Sequence, residues 1–180
     1  MKKFLLILLS VFLPVFSACA TQAKSDMSGY EGFADENHVF YDMSVREAAE
    51  QMEKGKTFVI YFGFAKCPWC IDAVPVLNEE AKNAGMKVGY ADTRRDPSWQ
   101  SNLDLEDYDL LVEILGEYFE YDDNGIKHLY TPHVFFIKDG KVVSEHSGTV
   151  EGHVAYEREM TPQELEELRE AYRKGFELLG

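Results

Sequence analysis

Thr57-Phe-Val-Ile-Tyr-Phe-Gly-Phe-Ala-Lys-Cys-Pro-Trp-Cys70 is the stretch whose reading decides the fold. A β-branched and aromatic run, Phe58 to Phe62, leads into Cys67-Pro68-Trp69-Cys70, after which Ala73, Val74, Val76, Leu77 and Ala81 recur at helical spacing. The change of period predicts a buried strand, a short turn, and a helix from Pro68 to about Asn83 whose first turn carries both thiols. A helix N-terminus presents unpaired N–H groups and partial positive charge, so it favours a thiolate. Pro68 suits the first helical position, where its missing N–H costs nothing. Cys67, at the junction, is the expected nucleophile. Cys70, one turn inward, is the expected resolving thiol, and the spacing lets the two close a disulfide. A plain structural staple is the weaker reading, because so short a loop would stabilise little.

Outward from this segment, Ser44-Val45-Arg46-Glu47 is a capping-box pattern that opens a short helix from Val45 to Lys54, stopped by Gly55. Met86 to Asp92 is the next strand, which makes a βαβ unit with parallel strands. Leu105, Tyr108, Leu111, Val112, Leu115, Tyr118 and Phe119 then predict a long amphipathic helix from about Leu103 to Tyr121. It is ended by the turn cluster Asp122-Asp123-Asn124-Gly125. The stripe packs on the sheet or, alternatively, its tyrosines and Trp99 edge a substrate groove. His133 to Ile137, Asp139-Gly140 and Val142 to Ser147 read as a β-hairpin. Thr161-Pro162-Gln163-Glu164 is a second capping box, opening a last helix with Leu165, Leu168 and Tyr172 on one face.

From about Ser44 to the C-terminus the chain resembles the thioredoxin-like family. The resemblance rests on the strand Phe58 to Phe62, the Cys67-Pro68-Trp69-Cys70 motif with its helix, and Thr131-Pro132 before a strand-Gly-strand. It implies an α/β fold with a central mixed sheet flanked by helices, here with an extended helical insertion over 93–130. It also implies a cis Pro132 that sets the Thr131 backbone beside the thiols, where an extended substrate can pair with it. Trp69 either shapes the docking surface or is merely an exposed aromatic. Lys66 and Pro68 are the candidate tuners of the thiolate, although Lys66 reads equally well as a solvated charge. The resemblance requires no organic cofactor beyond the redox-active Cys67–Cys70 disulfide. Two positions depart from the family. Its buried acid, six residues before the first cysteine, is replaced by Tyr61, and a lysine of the following strand by Tyr90 or a neighbour. The proton acceptor for Cys70 is therefore not assigned by the motif.

The first residues have a different layout. Lys2 and Lys3 precede an apolar stretch, Phe4 to Phe16, and a small-residue end at Ser17-Ala18. This is the pattern of a secretory signal over 1–18. Phe16-Ser17-Ala18-Cys19 resembles a bacterial lipobox, which makes Cys19 the expected lipidation site and residues 19–43 a lipidated cysteine with a flexible tether. The domain then runs from 44 to 180. The chain is similar in layout to small secreted thioredoxin-like proteins of Gram-positive bacteria, including the bacteriocin transport accessory proteins. A hydrophobic fraction of 46% fits one globular domain. The formal charge is −14, and loss of Lys2 and Lys3 with the signal takes it to −16, which excludes nucleic-acid binding through phosphates.

These features lead to the expectation of a monomeric, extracytoplasmic, lipid-anchored thiol–disulfide oxidoreductase. Its partners would be exported protein thiols and disulfides and a membrane redox partner. Trp69 lacks the charge of a histidine between the cysteines, which favours the reductase or isomerase direction. Two rival readings remain at this level. One is a copper-binding module using Cys67, Cys70 and a histidine such as His133; the other is a non-catalytic interaction protein. No metal ligand set is nominated, and His38, His128, His133, His146 and His153 form no spaced pair on a predicted helix.

Overall fold

The computed structural model describes residues 22–95 and 100–180, so the signal, Cys19 and Trp99 lie outside the described residues. The chain forms β1 (Phe40–Asp42), α1 (Val45–Glu53), β2 (Phe58–Gly63), α2 (Pro68–Asn83) and β3 (Val88–Asp92). Then come the short β4 (Arg94–Arg95) and β5 (Gln100–Ser101), α3 (Leu105–Leu115), and β6 (Glu120–Tyr121) with β7 (Lys127–His128). The chain ends with β8 (His133–Lys138), β9 (Lys141–Ser147) and α4 (Pro162–Glu177).

Five strands make one mixed sheet in the order β1-β3-β2-β8-β9. β3 is parallel to both β1 and β2, whereas β8 is antiparallel to β2 and to β9. β2 is central and all six of its residues are buried, which explains its unbroken apolar run. Its alternation divides the core. Val59 and Tyr61 face a layer containing Cys70, Val74 and Leu77 of α2 and Leu168, Tyr172 and Phe176 of α4. Phe58, Ile60 and Phe62 face the layer with Val45 and Ala48 of α1 and Leu111 and Leu115 of α3. The expected thioredoxin-like arrangement is therefore present, a mixed sheet with helices on both faces. The edge strand β9 carries the polar residues Lys141, Ser144, Glu145 and His146, as an exposed edge requires.

Both capping boxes form, at Ser44 with Glu47 and at Thr161 with Glu164. Asp139 and Gly140 both take positive φ, 51° and 77°, at the β8–β9 turn. Among the described residues no helix is long and apolar enough to cross a membrane.

Two expectations require correction. The stretch 22–43 was expected to be part of a tether, yet Met27, Tyr30, Phe40 and Tyr41 are buried and β1 pairs with β3. Lys24 bridges to Tyr41, and Asp35 accepts hydrogen bonds from Asn78 and Lys82 of α2. The physical cause is the run Val39-Phe40-Tyr41, whose apolar surface completes the sheet edge; the folded unit begins well before Ser44. The helix expected to reach Tyr121 instead ends at Leu115, followed by a 3₁₀ turn over Gly116–Tyr118. The Asp122–Gly125 turn extends backwards to draw Glu120 and Tyr121 into a hairpin with Lys127 and His128. Among its described residues the 93–130 insertion thus contains one three-turn helix, the short antiparallel pair β4–β5 and the hairpin β6–β7.

Phe40, 1% exposed, separates a tether from a domain segment. Phe40→Ala should lower unfolding stability by about 3–5 kcal/mol, as expected for a deleted core aromatic. A urea titration measures it, and an unchanged midpoint would return residues 22–43 to the status of an appendage.

Candidate active site

The site is built where β2 hands over to α2. Cys67 is the N-cap residue of α2, in extended conformation (φ −81°, ψ 117°), and Pro68 follows at the first helical position. The Cys67 sulfur accepts a hydrogen bond from the Cys70 backbone N–H at 3.3 Å. One of the orphan donors of the helix start is thus satisfied by the group that must carry negative charge. Both cysteines are free thiols. Cys67 retains 4% exposure and Cys70 none, so only Cys67 offers an incoming partner a sulfur.

The Thr131–Pro132 bond is cis, as the resemblance implied. It sets Thr131 against Cys67: Cys67 Sγ lies 3.6 Å from the Thr131 carbonyl oxygen, and the Thr131 hydroxyl lies 4.0 Å from the same sulfur. Trp69 is held rather than loose. Its Nε1–H donates to the His153 carbonyl at 3.3 Å, and its ring meets Tyr156 edge-on at 5.5 Å. Tyr156 itself is 70% exposed, so the Trp69–Tyr156 pair forms one apolar rim of the site.

Electrostatics separate the two thiols. Hydrogen bonding from the Cys70 side chain lowers the Cys67 thiol from its ordinary value against the opposing effect of burial, helped by the Cys70 and Trp69 N–H groups and by Thr131. Burial pushes the Cys70 thiol well up, and the neighbouring Cys67 adds to the rise. The surroundings therefore favour the thiolate at Cys67 and disfavour it at Cys70, the division that attack followed by resolution requires. Lys66 is exposed, and the leading influences on Cys67 are the hydrogen-bond donors around it rather than the Lys66 ammonium.

Tyr61, the residue expected where the resemblance implies a buried acid, is fully buried in the same cluster as Cys70. The Tyr61 ring stacks on Tyr90 at 5.5 Å, and Tyr30 meets both hydroxyls at 3.1 Å. The sequence reading singled out Tyr61 and Tyr90 but missed Tyr30, which lies in the stretch taken for a tether. Its signal was the pair Tyr30 and Phe33 standing just before the run Val39-Phe40-Tyr41. The sequence reading also missed the 148–160 segment, where buried His153 is held by Thr149 Oγ1 at 2.9 Å and the Arg158 carbonyl at 3.1 Å and so fixes the carbonyl that receives Trp69. Glu80, buried on α2, pairs with Arg169 and Arg173 of α4; its role is to tie those helices together.

His133 does not join the thiols. Strand alternation places it in the opposite layer, stacked on Phe135 at 4.2 Å with Nε2 on Glu145 at 2.7 Å. The histidine named for the rival copper-binding reading is therefore on the other face of the sheet from the thiols. Among the described residues no three His, Cys, Asp or Glu side chains converge as a metal site.

No family model matches the chain. Among solved structures it is similar to a candidate oxidoreductase with a thioredoxin fold, at 19% identity and TM-score 0.43, over 61% of this chain and 83% of that one. It is also similar to reduced desulfothioredoxin from Desulfovibrio vulgaris Hildenborough, at 22% identity and TM-score 0.37, over 70% and 86% of the two chains. A third similar structure is oxidised thioredoxin O2 from Arabidopsis thaliana, at 20% identity and TM-score 0.38, over 65% and 89%.

The asymmetry of the thiols is directly measurable. Alkylation of the reduced chain by iodoacetamide should begin at Cys67, with a pH midpoint below the value of about 8.5 of an unperturbed thiol. Cys70→Ala should move that midpoint upward, because the Cys70 side chain is the largest lowering influence. Rates against pH with peptide mapping report both; modification of Cys70 first would contradict the assignment.

Proposed function

We propose that this chain is an extracytoplasmic, lipid-anchored thiol–disulfide oxidoreductase that acts on exported proteins, in the reductase or isomerase direction. The observation that carries the redox reading is the Cys67 sulfur. It caps α2, keeps a narrow opening to solvent, and lies 3.6 Å from the carbonyl of the residue before cis-Pro132. A partner strand laid along Thr131 would bring its disulfide to Cys67 rather than to the fully buried Cys70.

In the reducing direction the Cys67 thiolate attacks one sulfur of the partner disulfide. A Cys67–partner bond forms and the other partner sulfur leaves as a thiolate, which is protonated. Cys70, deprotonated, then attacks Cys67 Sγ; the Cys67–Cys70 bond forms, the mixed disulfide breaks, and the partner has gained two electrons. The enzyme is returned to its dithiol by a membrane redox partner. Thr131 positions the partner backbone, and the Trp69–Tyr156 rim offers apolar contact beside it. The location and the anchor rest on the layout of residues 1–19, with Cys19 as the lipidated residue.

The reduction potential of the Cys67–Cys70 couple, measured in glutathione buffers, tests the direction. A value near or below about −230 mV is expected. A value near about −120 mV would make the protein a disulfide donor instead. Cys67→Ser should abolish turnover of a disulfide substrate, and retention of activity would remove the oxidoreductase reading.

A further inference from the structure

Resolution of a mixed disulfide requires Cys70 to lose a proton, and Cys70 is fully buried. No carboxylate occupies the strand position beneath it. Tyr61 does, and it is packed in the same buried cluster as Cys70. The slot for its hydroxyl depends on Gly63: a Cβ there would stand 2.0 Å from Tyr61 Oη. Beyond Tyr61 the hydroxyls continue in a line. Tyr61 Oη is 3.1 Å from Tyr30 Oη, which is 3.1 Å from Tyr90 Oη. Asp92 follows Tyr90 by two residues on β3 and so shares its face of the strand. Asp92 stands at the exposed end of β3, where it accepts from the Arg94 N–H at 3.1 Å.

The donors in this line can be assigned by counting. Each hydroxyl has one proton to give. Tyr30 donates to Tyr90, so the Tyr90 proton is left to point toward the Asp92 carboxylate. The Tyr30 proton is then spent, so Tyr61 donates to Tyr30. Tyr61 is left to accept from the Cys70 S–H once Cys67 is held in the mixed disulfide and no longer takes that proton.

We propose that Tyr61, Tyr30 and Tyr90 form a buried hydroxyl chain that carries the Cys70 thiol proton to the carboxylate of Asp92 during mixed-disulfide resolution. The inference rests on the oxidoreductase reading above. In the step, Cys70 gives its proton to Tyr61, Tyr61 to Tyr30, Tyr30 to Tyr90, and Tyr90 to Asp92. Every tyrosine gains one proton and loses one, so all three stay neutral. Every hydrogen bond reverses, and Tyr61 ends as the donor to the new Cys70 thiolate. That thiolate attacks Cys67 Sγ, the Cys67–Cys70 bond forms, and the electron pair of the mixed disulfide leaves on the partner sulfur. Asp92 releases its proton to water. Partial burial raises the Asp92 carboxyl above its ordinary value, which suits a transient acceptor. Neutral relays are required here, since burial raises all three tyrosine hydroxyls above the ordinary tyrosine value. Tyr61 touches a reacting atom; Tyr30, Tyr90 and Asp92 act through it.

Tyr172 supplies an internal control. It is equally buried and close enough to feel the Cys70 charge, but among the described residues its hydroxyl has no hydrogen-bond partner.

The test uses the reduced full chain mixed with 5,5′-dithiobis(2-nitrobenzoate) in a stopped-flow instrument. The first thionitrobenzoate is released by Cys67 and the second, independent of reagent concentration, by Cys70. Tyr61→Phe, Tyr30→Phe and Asp92→Asn should slow the second release by at least about tenfold, the low side of what positioned proton transfer contributes. The first release should stay within twofold of the starting chain in Tyr30→Phe and Asp92→Asn, and Tyr172→Phe should leave both releases unchanged. The second release should depend on the deuterium content of the solvent along a curve, as several protons in flight require, and Tyr30→Phe should remove the curvature, which a mere packing defect would not do. The proposal is overturned if Tyr30→Phe resolves within twofold of the starting chain with the curvature intact. Should Tyr30→Phe not fold, Asp92→Asn at the exposed strand end decides in the same way. A starting chain that gives the first release and never the second would instead fail the oxidoreductase reading.

Discussion

The burial of β2 on both faces is the constraint from which the rest of the structure follows. A strand with no face left for water must satisfy every polar group it carries internally. Its backbone does so by pairing with β3 on one side and β8 on the other. Its one polar side chain, Tyr61, must find a hydroxyl partner in the interior, and the partner it finds is Tyr30. Tyr30 reaches that position only because the chain before β1 folds across the end of the thiol-bearing layer. The order of the first described residues and the chemistry of the site are thus two consequences of one buried strand.

The two cysteines show how a helix start divides labour between identical groups. Three residues apart on α2, they differ in what surrounds the sulfur. Cys67 lies outside the first turn, receives N–H donors, and keeps a narrow window. Cys70 lies inside it, against Tyr61 and the α4 layer. The helix terminus stabilises a thiolate at the cap, and the core disfavours one a turn later. Holding α2 in place therefore matters to the chemistry. The buried Glu80 with Arg169 and Arg173 on α4 fixes it from behind, and Asp35 with Asn78 and Lys82 fixes it from the N-terminal segment. The helix also runs through Pro75, which takes an exposed position. Packing on both neighbours keeps a helix continuous where local propensity alone would break it.

The motif at Cys67 to Cys70 was legible because strand, turn and helix are each local and each carry their own period. The bounds of α2 follow from Pro68 at the start and from apolar spacing to Ala81. The β8–β9 hairpin was legible for a related reason: Asp139-Gly140 can adopt the positive φ values that such a turn needs, and few other pairs can. The stretch 22–43 was not legible. Its composition is small, polar and acidic, and its burial comes from a few aromatics meeting partners that are distant in sequence. The 93–130 insertion failed in the opposite way. Tyr118 and Phe119 continue a helical period and are nonetheless outside the helix, because the hairpin at Asp122–Gly125 competed for the same residues.

By itself the sequence determined the positions of the thiols, the order of most elements, and the absence of the usual acid beneath the motif, since these depend on residue type and local spacing. Tertiary structure alone decided what replaces that acid. Tyr61 comes from β2, Tyr90 and Asp92 from β3, and Tyr30 from a segment ahead of the sheet, and nothing in their spacing announces that three hydroxyls will meet within hydrogen-bonding distance. It also decided that His133, adjacent in sequence to the cis-proline, faces away from the thiols. In both cases the physical reason is the same: the alternation of a strand assigns a face, but only the packing of the sheet shows what that face meets.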